Sequence, residues 1–197
     1  MSGVDVAIVI PVFNDWEPLV RLLDEINETL SAAKLKGRVV VVDDGSNIVE
    51  DGRLRGRIYA SLSTIEMVHL ISNQGHQRAI AIGLVHVSKS GMQVESVVVM
   101  DGDGEDRPDH IPQLLRVLRS GDSSVVFAAR TERHEGILFR VMYQVYCFLY
   151  RLMLGVPVRW GNYSAMRVSA LSLLTMSPDL WNHYAAAVVR SRLRFGA

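Results

Sequence analysis

Short runs of β-branched and aliphatic residues alternate along this chain with segments whose apolar residues recur at helical spacing. The short runs cover residues 4–10, 38–42, 65–70, 94–100 and 125–128. Helical spacing occurs in residues 17–33, 75–87 and 112–118. Runs that are apolar on both faces predict buried, largely parallel strands. The alternation therefore predicts an α/β fold, with a mostly parallel central sheet and helices on both of its faces.

Length and charge restrict the class of protein. The 197 residues, 49% of them hydrophobic, predict one domain over residues 1–197, and an apolar, basic tail without a stop signal predicts truncation at the C-terminus. The 21 basic residues balance the 21 acidic ones, so no nucleic-acid partner is expected. The first apolar run is short and follows Asp5 rather than a basic segment, so a cytoplasmic location is expected.

Polar clusters directly follow each of the five predicted strands. They are Asn14-Asp15, Asp43 to Ser46, Asn73 to His76, Asp101 to Asp103 and Arg130 to Arg133. In sheets of this kind, ligands bind at the carboxyl ends of the strands. We therefore expect the five clusters to converge on one edge of the sheet.

The most acidic cluster places Asp101, Asp103 and Glu105 at alternate positions after the fourth predicted strand. Carboxylates this close repel each other unless a hard cation such as Mg²⁺ or Mn²⁺ gathers them around substrate phosphates. Glycines between them would let a diphosphate approach the backbone. The alternative is an ordinary acidic turn exposed to solvent.

Asp43 and Asp44 end the second predicted strand, where carboxylates accept hydrogen bonds from a base N–H or ribose hydroxyls. The alternative is that Asp44 or Ser46 caps a helix. After the third strand, Asn73 is expected to cap a helix whose N-terminal N–H groups face an anion. His76 is a weak candidate for a general base, because a lone histidine is more often structural.

Arg130 and Arg133 stand three residues apart after the fifth predicted strand, so both guanidinium groups can face one phosphate. The alternative is surface pairing with Glu132 and Glu135, which contributes little to stability. Motifs of other phosphate-binding classes are missing: no Gly-x-Gly-x-x-Gly follows the first strand, and no Gly-Lys-Ser/Thr occurs. This disfavours NAD enzymes and P-loop kinases.

Taken in order, these motifs resemble the family-two inverting glycosyltransferases of the GT-A, Rossmann-like fold, in their dolichol- and polyprenyl-phosphate branch. The resemblance covers about residues 4 to 175. Residues 10–15 are similar to the family's Pro-x-aromatic-Asn-acid motif, and residues 42–46 to its base- and ribose-binding turn. Residues 101–105 are similar to its metal-binding Asp-x-Asp-x-Gln, with Glu105 replacing Gln. Arg130 and Arg133 match its Gly-x-Arg-x-x-Arg, with Ala128 replacing the glycine, and residues 161–167 resemble its later Gly-Asp/Asn-aromatic segment.

The resemblance implies transfer of a sugar, with inversion, from a UDP- or GDP-sugar to dolichyl or undecaprenyl phosphate. It implies Mg²⁺ or Mn²⁺ as cofactor and a peripheral position at the cytoplasmic membrane face. Its catalytic residues correspond to Asp103, Arg130 and Arg133, and its metal ligands to Asp101, Asp103 and Glu105. The implied nucleotide-sugar-binding residues are Pro11, Val12, Phe13, Asp15, Asp43, Asp44, Gly75, Arg78, Asp101 and Gly102.

Other interpretations stay open from the sequence. Residues 136–155 are apolar enough for a helix at a membrane interface or an acceptor groove, and the alternative is a core helix. Transfer to a saccharide or protein hydroxyl would require a carboxylate base among Asp106, Glu132 and Glu135. A nucleotidyltransferase would normally carry a basic, Gly-rich first loop, which residues 11–16 lack. The last alternative is a nucleotide-sugar-binding module without catalysis.

Overall fold

The computed structural model describes residues 4–48, 52, 54, 56–91, 93–129 and 161–196. The seven described strands are β1 Val4–Val12, β2 Gly37–Asp43, β3 Leu62–His69, β4 Val94–Val99, β5 Val125–Phe127, β6 Ser164–Arg167 and β7 Phe195–Gly196. The described α-helices are α1 Trp16–Ala32, α2 His76–Lys89, α3 Ile111–Ser120, α4 Val168–Leu174 and α5 Tyr184–Arg190. Short 3₁₀ helices cover Pro108–His110 and Pro178–Trp181. All the predicted strands and helices are present, with small shifts at their ends.

The strands form one mostly parallel sheet in the order β3-β2-β1-β4-β6-β5-β7, as the alternation predicts. β1 pairs in parallel with β2 and with β4, whereas β6 pairs antiparallel with both β4 and β5. Strand β6 was not predicted, because its four residues, Ser-Ala-Met-Arg, have little strand propensity. It forms because neighbouring strands offer hydrogen-bond partners on both of its sides.

The central strand β1 is buried on both faces. Ile8 and Ile10 pack in the core that contains α1, and Ala7 and Val9 pack in the core that contains α2. All four side chains are fully buried. For the edge strand β3, the prediction of burial on both faces is wrong, because residues 64–68 are only half-buried and the strand has a neighbour on one side alone.

Hydrogen bonds join the loop after β1 to the turn after β2. Asn14 adopts a left-handed conformation with φ of 65°, and its Oδ1 accepts the N–H groups of Asn47 at 2.9 Å and Ile48 at 3.0 Å. In return, the Asn14 N–H donates to Ser46 Oγ at 2.9 Å. The two loops therefore hold each other in place at the carboxyl edge of the sheet.

Asp44 joins the turn after β2 to the start of helix α2. Its Oδ1 accepts the Gln74 N–H at 2.7 Å and its Oδ2 accepts the Gly75 N–H at 2.9 Å. The expectation that Asn73 caps α2 is wrong: Gly75 occupies the N-cap position, and no side chain there makes a capping bond. The buried Asp44 carboxylate reaches across from β2 and satisfies the loop that leads into this helix.

Arg167, at the end of β6, holds the C-terminus of helix α3. Its guanidinium donates to the carbonyl oxygens of Leu118 at 2.5 Å, Gly121 at 2.9 Å and Ser123 at 3.2 Å. The last carbonyls of a helix have no partner within the helix, so this side chain satisfies groups that would otherwise need water. The contacts give Arg167 a structural role in the region that resembles the family's later segment.

In the ranges that the structure describes, no helix combines the length and apolarity needed to cross a membrane. The apolar residues 136–155 lie outside those ranges, so their interpretation as an interface, groove or core helix stays a prediction.

Gly45 is expected to tolerate alanine poorly. Its φ is 71°, and a Cβ would lie 2.5 Å from the Ser72 carbonyl carbon and 2.7 Å from the Asn73 nitrogen. Gly45→Ala should lower the free energy of unfolding by about 3 kcal/mol, combining left-handed strain with displaced backbone. Gly91→Ala is the matched control, because Gly91 has φ of 67° and open space around it, and should lose only about 1 kcal/mol. Urea unfolding measures both, and equal losses would contradict the backbone contact.

Candidate functional site

A cleft of about 450 Å³ opens at the carboxyl edge of the sheet. The loops after β1, β2, β3 and β4 form its walls, together with the residues just before β6. The lining residues are Pro11, Val12, Phe13, Asp15, Asp44, Asn73, Gly75, His76, Asp101, Gly102, Asp103 and Asn162. Four of the five predicted polar clusters therefore meet at one cleft, and the fifth, at residues 130–133, lies outside the described residues.

Most of the predicted site residues line this cleft. The predicted nucleotide-sugar-binding residues that do so are Pro11, Val12, Phe13, Asp15, Asp44, Gly75, Asp101 and Gly102. Asp103, predicted to be catalytic, lies with them, whereas Arg130 and Arg133 are outside the described residues. The structure thus brings these groups together, and their individual roles stay predictions.

Asp43 is turned away from the cleft and holds the turn after β2. Its Oδ1 accepts the Ser46 N–H at 2.9 Å, and its Oδ2 lies 3.0 Å from His69 Nδ1. Burial alone would raise the pKa of Asp43, but the hydrogen bonds from Ser46 and His69 outweigh it and lower that pKa. Asp43 acts here on the backbone and on His69.

Two further predicted residues do not line the cleft. Arg78 is exposed in the first turn of α2, and Glu105 is exposed in the loop after β4. Glu105 was predicted from its spacing with Asp101 and Asp103 and from the resemblance, and Arg78 from the resemblance alone. Neither signal specifies the direction in which a side chain points.

Hydrogen bonds within the acidic loop fix its shape. The Asp101 N–H donates to Asp106 Oδ2 at 2.8 Å, and the Glu105 N–H donates to Asp103 Oδ1 at 2.9 Å. A Cβ on Gly102 would lie 2.9 Å from the Pro11 carbonyl oxygen, so glycine lets the loop pack against the end of β1. Asp101 and Asp103 remain at the cleft, while Glu105 contributes its N–H to the loop.

Among the described residues, no three His, Cys, Asp or Glu side chains are gathered closely enough to hold a metal ion. Asp101 and Asp103 both line the cleft, but Glu105 is not drawn in beside them. The set of three metal ligands therefore stays a prediction.

His76 and Asn162 contact Asp101 inside the cleft. His76 Nε2 lies 3.1 Å from Asp101 Oδ1, and Asn162 Nδ2 lies 2.9 Å from the same His76 nitrogen and 3.5 Å from Asp101 Oδ1. A protonated Nε2 donates to Asp101, whereas an unprotonated Nε2 accepts from Asn162. From the sequence, His76 was only a weak candidate, and Asn162 was noted only as part of residues 161–167, which resemble the family's later segment.

The electrostatic field of the cleft is negative around His76. The hydrogen bond to Asp101 raises the pKa of His76 against the opposing effect of burial, and the charges of Asp101, Asp103 and Asp44 raise it further. Carboxylates this close favour a cation among them and repel a diphosphate that arrives without one.

Solved structures with similar folds include a mannosyltransferase and a glucosyl-3-phosphoglycerate synthase. A mannosyltransferase from Pyrobaculum calidifontis, PcManGT, in complex with GDP-Man and Mn²⁺ gives a TM-score of 0.63 at 18% identity, covering 100% of this chain and 55% of that one. Glucosyl-3-phosphoglycerate synthase from Mycobacterium tuberculosis, in complex with UDP, gives 0.56 at 19% identity, covering 87% and 60%. These similarities show the fold, which confirms the predicted GT-A class.

Curated relatives have a higher sequence identity to this chain than these solved structures, over a shorter aligned stretch. Undecaprenyl-phosphate 4-deoxy-4-formamido-L-arabinose transferase from Erwinia tasmaniensis is 31% identical over 130 residues, which cover 66% of this chain and 38% of the relative. The same enzyme from Sodalis glossinidius is 32% identical, with the same two coverages. The matched part is thus less than half the length of these relatives.

A family model, described as glycosyl transferase family 2, matches residues 7–174. The match begins in the central strand β1 and extends to the last residue of helix α4, so it includes every loop that lines the cleft. The chain belongs to glycosyl transferase family 2.

Proposed function

We propose that this chain carries the catalytic domain of an inverting glycosyltransferase that moves a sugar from a nucleotide diphosphate sugar to a polyprenyl phosphate. The donor is a UDP- or GDP-sugar, and the acceptor is dolichyl or undecaprenyl phosphate. The reaction takes place at the cytoplasmic face of a membrane, with the domain bound peripherally, and uses Mg²⁺ or Mn²⁺.

The observation that carries this proposal is the division of the cleft lining into apolar residues and carboxylates. Pro11, Val12 and Phe13 form the apolar part, and the Phe13 side chain is 39% exposed, so its ring is available to a base. The acidic part, which we call the acidic floor, consists of Asp15, Asp44, Asp101 and Asp103. A nucleotide diphosphate has the same division, with a flat base at one end and charged phosphates at the other.

Asp101 and Asp103 are the residues that would hold the divalent cation. Their hard oxygen ligands suit Mg²⁺ or Mn²⁺, and a site with two protein carboxylates suits a cation that keeps waters and substrate phosphates as its other ligands. When bound, the cation would neutralise the charge on the departing diphosphate.

The relatives named as undecaprenyl-phosphate sugar transferases support a polyprenyl phosphate as the acceptor. Such a phosphate is already anionic near neutral pH, so its attack on the sugar does not require a strong general base. One displacement then inverts the anomeric carbon. Arg130 and Arg133 are proposed to bind phosphate oxygens, since planar guanidinium groups match them.

The first prediction from this proposal concerns metal-dependent nucleotide binding. The cleft should bind UDP or GDP in the presence of Mn²⁺ and lose most of that affinity when the metal is chelated, because the acidic floor repels an unneutralised diphosphate. Calorimetric titration with each nucleotide measures this and identifies the base. Absence of binding by both nucleotides with Mn²⁺ present would contradict the proposed donor site.

The second prediction concerns Asp103. Asp103→Ala should lower turnover with a polyprenyl phosphate acceptor by about 10²-fold, the scale of losing one strong electrostatic contact to the leaving group. Asp109→Ala is the matched control, because this carboxylate lies in the same stretch but pairs with Arg107 outside the cleft. Turnover near that of the parent chain in Asp103→Ala would refute the assignment.

A further inference from the structure

We propose that Gln77 is a positioning residue whose side-chain amide fixes Asn162 against Asp101. This inference rests on the proposed function, because it concerns how the Asp101 carboxylate is held for a cation and a nucleotide diphosphate. Gln77 is half-buried in the first turn of α2 and does not line the cleft, so it acts through another side chain.

A chain of hydrogen bonds leads from the core of the protein to the cleft. The Tyr184 N–H donates to Gln77 Oε1 at 2.8 Å, and Gln77 Nε2 donates to Asn162 Oδ1 at 3.1 Å. Asn162 Nδ2 then lies 2.9 Å from His76 Nε2 and 3.5 Å from Asp101 Oδ1. These hydrogen bonds join the start of α5, the first turn of α2 and the residues before β6.

This series of hydrogen bonds has only one consistent direction from donor to acceptor. The Tyr184 backbone nitrogen can only donate, so the oxygen end of the Gln77 amide must face it. The NH₂ end of Gln77 then faces Asn162, which must present its own oxygen there. The NH₂ group of Asn162 is consequently directed toward Asp101 and His76, and turning either amide round would oppose two donors or two acceptors.

The series of hydrogen bonds begins at a residue whose position is fixed by packing. Tyr184 is fully buried, and its hydroxyl lies 2.7 Å from Ser164 Oγ in strand β6. Both groups belong to packed elements, so the position of the Tyr184 N–H is set by the core. The amide of Gln77 therefore transmits a fixed orientation to the cleft.

The consequence for the site is that the orientation of the Asp101 carboxylate is restrained before a ligand binds. His76 Nε2 at 3.1 Å and Asn162 Nδ2 at 3.5 Å both lie beside Asp101 Oδ1, so Asn162 helps to restrain that oxygen. Groups that orient a metal ligand in this way typically contribute 10-fold to 100-fold in metal affinity. Loss of the Gln77 amide should release Asn162, and with it the preferred orientation of Asp101.

Gln77→Met tests the inference, because methionine keeps the length of the side chain but can neither donate nor accept strongly. Affinity for UDP or GDP in the presence of Mn²⁺ should fall by about 10-fold, with little change when the metal is chelated. Gln74→Met is the matched control, since the Gln74 side chain is exposed and contacts Ser72 rather than the cleft. The control should bind as the parent chain does.

A double-mutant cycle between Gln77 and Asn162 distinguishes a positioning role of Gln77 from a merely structural one. In an Asn162→Ala background, Gln77→Met should cause no further loss of metal-dependent affinity, because the residue through which Gln77 acts is gone. Any loss of thermal stability from the unpaired Tyr184 N–H should persist in both backgrounds. Equal losses of affinity in both backgrounds, or no loss in either, would overturn the inference.

A readout without ligand distinguishes failure of this inference from failure of the proposed function. Nuclear magnetic resonance measures how fast the NH₂ hydrogens of Asn162 exchange with solvent, and their signals are identified by their loss in Asn162→Ala. This exchange should be slow in the parent chain and fast in Gln77→Met. Fast exchange in the parent chain would refute the hydrogen-bond chain itself. If slow exchange is seen but the parent chain binds neither nucleotide with Mn²⁺, the proposed function fails, and the positioning role fails with it.

Discussion

Burial of strand β1 is the constraint on which the rest of the structure depends. Residues 6–10 are fully buried, with one core above the sheet and another below it. At about 25 cal/mol per Å² of apolar surface, this strand and the helices that cover it supply a large part of the hydrophobic stabilisation. Because β1 pairs in parallel with β2 and β4, the loops after all three strands open at the same edge. The position of the cleft follows from this packing.

The polar residues at that edge divide into those that build the loops and those that face the cleft. The side-chain oxygens of Asp43 and Asn14 accept backbone N–H groups, and Asp43 also contacts His69. Both residues therefore hold the loops. Asp44 does both, since it satisfies the start of α2 and also lines the cleft. Asp101 and Asp103 also line the cleft, and Asp103 Oδ1 accepts the Glu105 N–H within the acidic loop. The loops are thus fixed by bonds that leave the acidic floor available to ligands.

The sequence predicted the parts of the fold and site that local pattern determines. Continuous apolar runs identified β1, β2 and β4, and the polar residues after them identified most of the cleft. Patterns failed where long-range contacts decide the outcome. Strand β6 has weak propensity and exists because of its neighbours, and Asp43 and Arg78 carried no signal for the direction of their side chains. Gln77 and Asn162 are 85 residues apart, so no local pattern could show that they meet.

The antiparallel direction of β6 completes the site. Ser164, its first residue, pairs with Val99, the last residue of β4, so the chain enters β6 at the edge where β4 ends. Asn162, two residues before that pair, therefore lies beside Asp101, two residues after it. A parallel strand in the same position would bring Asn162 to the opposite edge, far from the acidic loop. Among the described strands, the one that breaks the parallel pattern is thus the one that brings a partner to Asp101.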